Sequence, residues 1–95
     1  MNIQQEDTGQ RGSFFVEQDG ERLAELAYTW RGDKLISIDH TEVDEKFEGK
    51  GVASTLAEHM ASFARAEGIR LILYCQFAKV YFARHKEQQD LLYHE

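Results

Sequence analysis

The sequence contains no proline and only one cysteine in 95 residues. Without proline, turns fall to glycine and to Asp or Asn chemistry, and seven glycines are present. The single thiol, Cys75, can form no internal disulfide and cannot build a cysteine-rich zinc site. The four histidines, at 40, 59, 85 and 94, match neither H-E-x-x-H nor C-x-x-C spacing, so no metal is expected. Basic residues are also scarce: eleven Lys and Arg against seventeen Asp and Glu give a net charge of −6. That sign argues against a general nucleic-acid binder, which needs a basic footprint to release counterions. A local positive patch for one phosphorylated ligand stays compatible with it. No apolar run approaches membrane-spanning length, and the opening M-N-I-Q-Q-E-D-T-G-Q-R-G has no apolar stretch of signal-peptide type. These absences predict a reduced, cytoplasmic, soluble domain that binds neither membrane nor nucleic acid.

What is present fits a folded protein: 42% hydrophobic, 12% aromatic and 29% charged residues. A chain of this size buries only a little over ~60% of its unfolded surface, so one economical core is expected. Residues 1–12 are polar and read as a flexible lead-in; 13–95 form the single domain. Ser13 to Gln18 is a candidate strand, followed by Asp19-Gly20, a strong hairpin signal. From Arg22 to Trp30 the side chains alternate, with Ala24, Leu26, Tyr28 and Trp30 on the apolar face. Arg31-Gly32-Asp33 turns the chain into a third strand, Lys34–Val43, and so completes an antiparallel meander.

After Val43 the texture changes. Asp44 to Gly51 is charged and glycine-punctuated, and from Val52 the residues Val52, Leu56, Met60 and Phe63 recur at the spacing of one helix face. Gly68 supplies the stop. Ile69 to Cys75 is nearly continuously apolar, as for a strand covered on both faces, and Gln76 to about Lys86 reads as a second helix. Leu91, Leu92 and Tyr93 are expected to dock the tail back. Strand 34–43, helix 51–67 and strand 69–75 make a crossover unit whose strands run parallel. The predicted class is α/β (α+β): a mixed sheet of about four strands, an antiparallel meander leading into one parallel βαβ pair, with two helices.

The most informative segment is the loop Glu48-Gly49-Lys50-Gly51-Val52-Ala53, where a strand ends and a helix begins. Glycines let an anion approach the backbone, and the first helical N–H groups are unpaired donors at the positive end of the helix dipole. The same pair also fits an ordinary glycine turn before a helix. It is not a dinucleotide fingerprint, since Ser54 stands where G-x-G-x-x-G needs its third glycine. Nor is it a Walker loop, because Lys50 is followed by Gly51 and not by Ser or Thr.

This loop resembles the cofactor motif of the GNAT acyltransferases, usually written R/Q-x-x-G-x-G/A, with the family's preceding valine at Val43. Together with His40-Thr41-Glu42-Val43 and a second strand ending in Cys75, it is similar to a compact GNAT subfamily lacking the usual N-terminal helices. The resemblance covers roughly residues 13–90. It implies that strands 34–43 and 69–75 splay and that acetyl-CoA lies in the gap. Backbone groups of Thr41, Glu42 and Val43 would hold the pantetheine arm. Amides of Glu48, Gly49, Lys50, Gly51, Val52 and Ala53 would hold the pyrophosphate. Glu48 departs from the family's Arg or Gln, and a carboxylate beside a pyrophosphate is repulsive.

Acetyl transfer to an amine needs a neutral amine, a polarised thioester carbonyl and a proton for the departing thiolate. His40, which strict alternation puts on the strand face of Ile36 and Ile38, is a candidate base. Cys75 is a candidate acyl carrier or a buried, unreactive thiol. GNAT enzymes commonly draw their acid from a Tyr in an A-x-x-h-Y pattern. Here Tyr81 falls one position early after Ala78, about 100° round the helix, so it is a weak candidate for the acid and reads first as a core aromatic beside Phe77. The expected function is an acetyl-CoA-dependent N-acetyltransferase acting on an amine acceptor, either a small amine or a Lys or N-terminal peptide. Its expected state is a monomer or weak homodimer. The alternatives are a non-catalytic acyl-CoA-binding or interaction module and, more distantly, a cysteine hydrolase with no evident orienting Asn or Asp.

Overall fold

A computed structural model describes residues 1–94. The Asp-Gly pair makes the two-residue turn expected of it, both residues taking positive φ (53° and 78°), which matches the right-handed twist of the strands it joins. Those strands are β2 (Arg11–Gln18) and β3 (Glu21–Gly32); β4 (Leu35–Val43) continues the meander. A short 3-10 turn over Glu45–Phe47 then leads into α1 (Val52–Glu67). Gly68 ends α1 in the left-handed conformation, and β5 (Arg70–Leu73) returns parallel to β4. Helix α2 (Gln76–Arg84) and a 3-10 turn over Lys86–Leu91 close the chain. The fold is mixed α+β, with one sheet in the order β1 (Gln4–Asp7), β2, β3, β4, β5.

The sheet has one strand more than the meander and crossover predict. Gln4–Asp7 form β1, which pairs antiparallel with β2, so part of the expected lead-in is an edge strand. All four of its residues are exposed, so it carries no apolar alternation for a sequence reading to detect. Side-chain hydrogen bonds hold it instead. The Tyr28 hydroxyl donates to the Asp7 carboxylate at 2.6 Å, Gln5 Nε2 donates to the Tyr28 oxygen at 2.9 Å, and Trp30 Nε1 donates to Asp7.

The core lies on one face of the sheet. Every buried residue of α1 (Val52, Leu56, Ala57, Met60, Ala61 and Ala64) and of α2 (Ala78, Tyr81 and Phe82) joins a cluster with Phe14, Leu26, Tyr28, Ile36 and Ile38. Alanines at 57, 61 and 64 present little bulk on the side of α1 that joins this cluster. Phe63 is only half-buried and packs edge-on against Phe14 and Trp30. The opposite sheet face carries Phe15, sealed by the Arg22 guanidinium 3.7 Å from its ring centroid. β5 is therefore covered on one face, not two: Leu71 is buried, whereas Tyr74 just beyond it is 59% exposed. The tail docks as expected, with Leu91 buried and the Tyr93 amide donating to the Leu71 carbonyl at 2.8 Å. Among the described residues no helix is long and apolar enough to cross a membrane.

Candidate active site

β4 and β5 pair only from Leu35↔Arg70 to Ile38↔Leu73. At that point the Ile38 carbonyl accepts from the amides of both Tyr74 and Cys75, at 3.0 and 3.1 Å, and the two strands part. Beyond the fork, the β5 side of β4 from His40 to Val43 has no strand partner among the described residues, while its other side stays paired with β3. α2 begins at the fork, with Cys75 as its N-cap residue.

An irregularity in β4 decides which side chains reach the fork. Ala27 stands opposite His40 and Tyr28 opposite Ile38, so Asp39 is an extra residue in the ladder, a β-bulge. Residues directly opposite in an antiparallel pair share a face. Ile36 and Ile38 stand opposite Trp30 and Tyr28; past the bulge Thr41 and Val43 stand opposite Leu26 and Ala24, on the same helix-covered face. His40 moves to the other face, which corrects its expected place beside Ile36 and Ile38. There its side chain is 53% exposed, with Nε2 3.9 Å from the Glu25 carboxylate and 4.0 Å from that of Glu42.

Thr41, not His40, meets the thiol: its Oγ1 lies 3.4 Å from Cys75 Sγ. No hydrogen bond or ion pair joins His40 to Cys75 among the described residues. Cys75 is buried, 7% exposed.

The loop takes the form of a cradle. Gly49 and Gly51 both have positive φ (77° and 75°), and a Cβ on either would meet nothing within 4 Å. Gly51 is the N-cap of α1 and offers no side-chain cap. Among the described residues, the amides of Gly49, Gly51, Val52, Ala53 and Ser54 find no protein acceptor. Beside them lies a hollow of about 270 Å³ lined by Val43, Phe47, the loop glycines, Val52 and Phe77. Phe47 and Phe77 carried no functional signal in the sequence; each reads simply as an apolar residue beside an element end. Glu48 and Lys50 are exposed at the rim. Lys46, whose own charge would favour an anion, is drawn 3.5 Å from Glu21.

On the other face, a second hollow of about 360 Å³ is lined by Arg22, Glu25, Glu42, Asp44 and neighbouring backbone. Val43 is common to both linings. Glu25 was not singled out in the sequence, since only the bulge brings His40 to its side of the sheet.

Tyr81 lines neither hollow, though its ring lies 6.5 Å from that of Phe77, which does. Its ring stacks on His85, 4.0 Å between centroids and 18° between planes, and meets Phe82 edge-on. Burial pushes its phenol up, and the carboxylates of Glu58 and Glu87 push it further. Phe77, one turn nearer the loop, lines the hollow where Tyr81 does not. Among the described residues, no group of His, Cys, Asp and Glu could hold a metal ion.

The chain matches the family model described as GCN5-related N-acetyl-transferase over residues 13–91. It is 32% identical over 91 residues to Protein NATD1 of Xenopus tropicalis, spanning 95% of this chain and 84% of that one. The solution structure of a GCN5-like protein from Staphylococcus aureus superimposes with a TM-score of 0.76 at 27% identity, covering 99% of this chain and 89% of the other. Aminoglycoside N-acetyltransferase AAC(6')-Iy, solved with CoA, shares the fold at a TM-score of 0.61 and 15% identity, over 99% and 92% of the two chains. A strand fork beside a capless helix start, matched across nearly the whole chain, places this protein in the GCN5-related N-acetyltransferase family.

Proposed function

We propose that this chain is an acetyl-CoA-dependent N-acetyltransferase that transfers the acetyl group to a primary amine. The observation that carries the reading is the fork between β4 and β5, set beside five unpartnered amides and an apolar-walled hollow. The residues fit the cofactor. Amides of Gly49, Gly51, Val52 and Ala53 would take the pyrophosphate at the positive end of α1. The free edge of β4 from Thr41 to Val43 would take the pantetheine amides, as a strand takes a peptide. Bound acetyl-CoA supplies an activated acyl thioester.

On the open face, His40 is the group suited to hold the proton that an acceptor ammonium must lose. Glu25 and Glu42 beside it, the first already ion-paired with Arg22, favour a cationic acceptor over an anionic one. Cys75 lies on the other side of β4 and serves the acyl side of the fork. Tyr81 has no part in this reading.

Titration calorimetry with acetyl-CoA, then thiol release against amines and Lys-bearing peptides, tests the proposal. Binding followed by acceptor-dependent release is the expected result. Binding without turnover on any acceptor would convert the reading to an acyl-CoA-binding module. Absence of binding would overturn both.

A further inference from the structure

We infer that Asp39 is a positioning residue: clamped by Thr29, Ser37 and Arg31, it holds β4 in the bulged path by which the strand leaves β5 at the fork. The use of the fork for acetyl-CoA rests on the function proposed above; the clamp does not.

The pairing of β3 with β4 slips twice, in opposite senses. Tyr28, Thr29 and Trp30 stand opposite Ile38, Ser37 and Ile36, one residue out of step with the pairs on either side, Ala27 with His40 and Gly32 with Leu35. Each slip leaves one extra residue, Arg31 on β3 and Asp39 on β4. These two residues carry opposite charges, and they are joined. Arg31 Nε donates to the Ser37 hydroxyl at 2.9 Å, Ser37 donates to Asp39 Oδ1 at 2.8 Å, and Arg31 Nη2 stands 3.8 Å from the same oxygen. The Thr29 hydroxyl donates to Asp39 Oδ2 at 2.5 Å. Arginine offers only donors and a carboxylate only acceptors, so the direction of each bond is fixed. Ser37 is buried, and its hydroxyl has no other partner among the described residues.

The place of the clamp gives it its consequence. Ile38, just before Asp39, is the last β4 residue paired with β5, and its carbonyl takes the Tyr74 and Cys75 amides. His40, just after, begins the stretch without a β5 partner. An extra residue bends its strand and increases the local twist, so the bend falls at the fork. Apolar packing fixes Ile38 before the bulge and Val43 after it. Asp39 belongs to no apolar cluster, and its carboxylate is the group that ties the extra residue to both β3 and β4.

Amide exchange of the ligand-free protein, followed by calorimetry with acetyl-CoA, tests the inference. Thr29→Val keeps the side-chain shape and removes one donor; Asp39→Ala removes both acceptors. In each variant the Tyr74 and Cys75 amides should exchange about ten-fold faster, the worth of one hydrogen bond to a charged group, while those of α1 stay within about twofold. Acetyl-CoA should bind about three- to ten-fold more weakly at a temperature well below melting. Thr29→Ser should restore both readings. Unchanged exchange at the fork in both variants would overturn the inference. So would a rise shared equally by α1, which marks general destabilisation, or faster exchange at the fork with acetyl-CoA affinity unaltered. A parent protein that binds no acetyl-CoA would sink the proposed function, and the exchange pattern alone would then decide the clamp.

Discussion

The Tyr28 hydroxyl and the Asp7 carboxylate meet at 2.6 Å and tie the exposed edge strand to the core aromatic beneath it. Burial alone would push the Asp7 carboxyl up, but hydrogen bonds from Tyr28, the Gly9 amide and Trp30 outweigh it and hold it below its ordinary value. A depressed carboxylate stabilises the fold above its unfolded value of 3.8, and the contribution is lost as pH falls through the folded value. Asp7→Asn should therefore be less stable than the parent at pH 7 and approach it as the pH falls below 3.8 and through the folded value. Urea midpoints at the two pH values measure this; a constant gap would rule out the Asp7 linkage.

Gly12 is needed for the same clamp. Its φ is ordinary, but a Cβ there would collide with the Tyr28 ring and stand 2.6 Å from the Glu6 carbonyl oxygen. Neither can yield without detaching β1 from β2. Gly12→Ala should cost roughly 2 kcal/mol and lower the melting temperature by about 10 °C. Amide exchange should locate the loss at residues 4–7, and an unchanged melting temperature would refute the clamp.

Glu48 sits at the rim of the amide cradle, where a bound pyrophosphate would meet a like charge. Glu48→Gln should tighten CoA binding by about two- to five-fold at low ionic strength, with the gain shrinking above ~0.15 M salt. Calorimetry at two salt concentrations measures it. Weaker binding would mean that the carboxylate contacts the ligand through a donor of its own.

Tyr81→Phe should leave kcat within about twofold, because Tyr81 lines neither hollow and its ring is stacked on His85. Loss of a hundred-fold or more, with the alkaline limb of the pH profile, would restore Tyr81 as the acid.

Much of this fold is legible residue by residue, and the failures share a physical cause. The Asp19-Gly20 turn, the stripe from Val52 to Met60 and the stop at Gly68 each follow from a local rule and stand as expected. β1 escapes because hydrogen bonds hold it and burial does not, and hydrogen bonds leave no periodicity. The bulge escapes because I-S-I-D-H-T-E-V reads as unbroken alternation; the extra residue shows itself only against the partner strand. One unmarked residue thus exchanges His40 and Thr41 between the faces. The cradle was legible because glycine is the one residue whose presence reports backbone conformation directly. The hollow's aromatic walls were not, since Phe47 and Phe77 meet only after the chain has crossed the sheet.

Val43 borders both hollows, so the two share a wall at the end of β4. An acceptor nitrogen must reach the thioester carbon itself, so a donor on the helix side and an acceptor on the acidic side would have to meet at the open edge of β4 beyond the fork. A single sheet would in this way hold an anionic ligand and a cationic one apart until their reacting ends meet. The separation comes from using the two surfaces of a single strand.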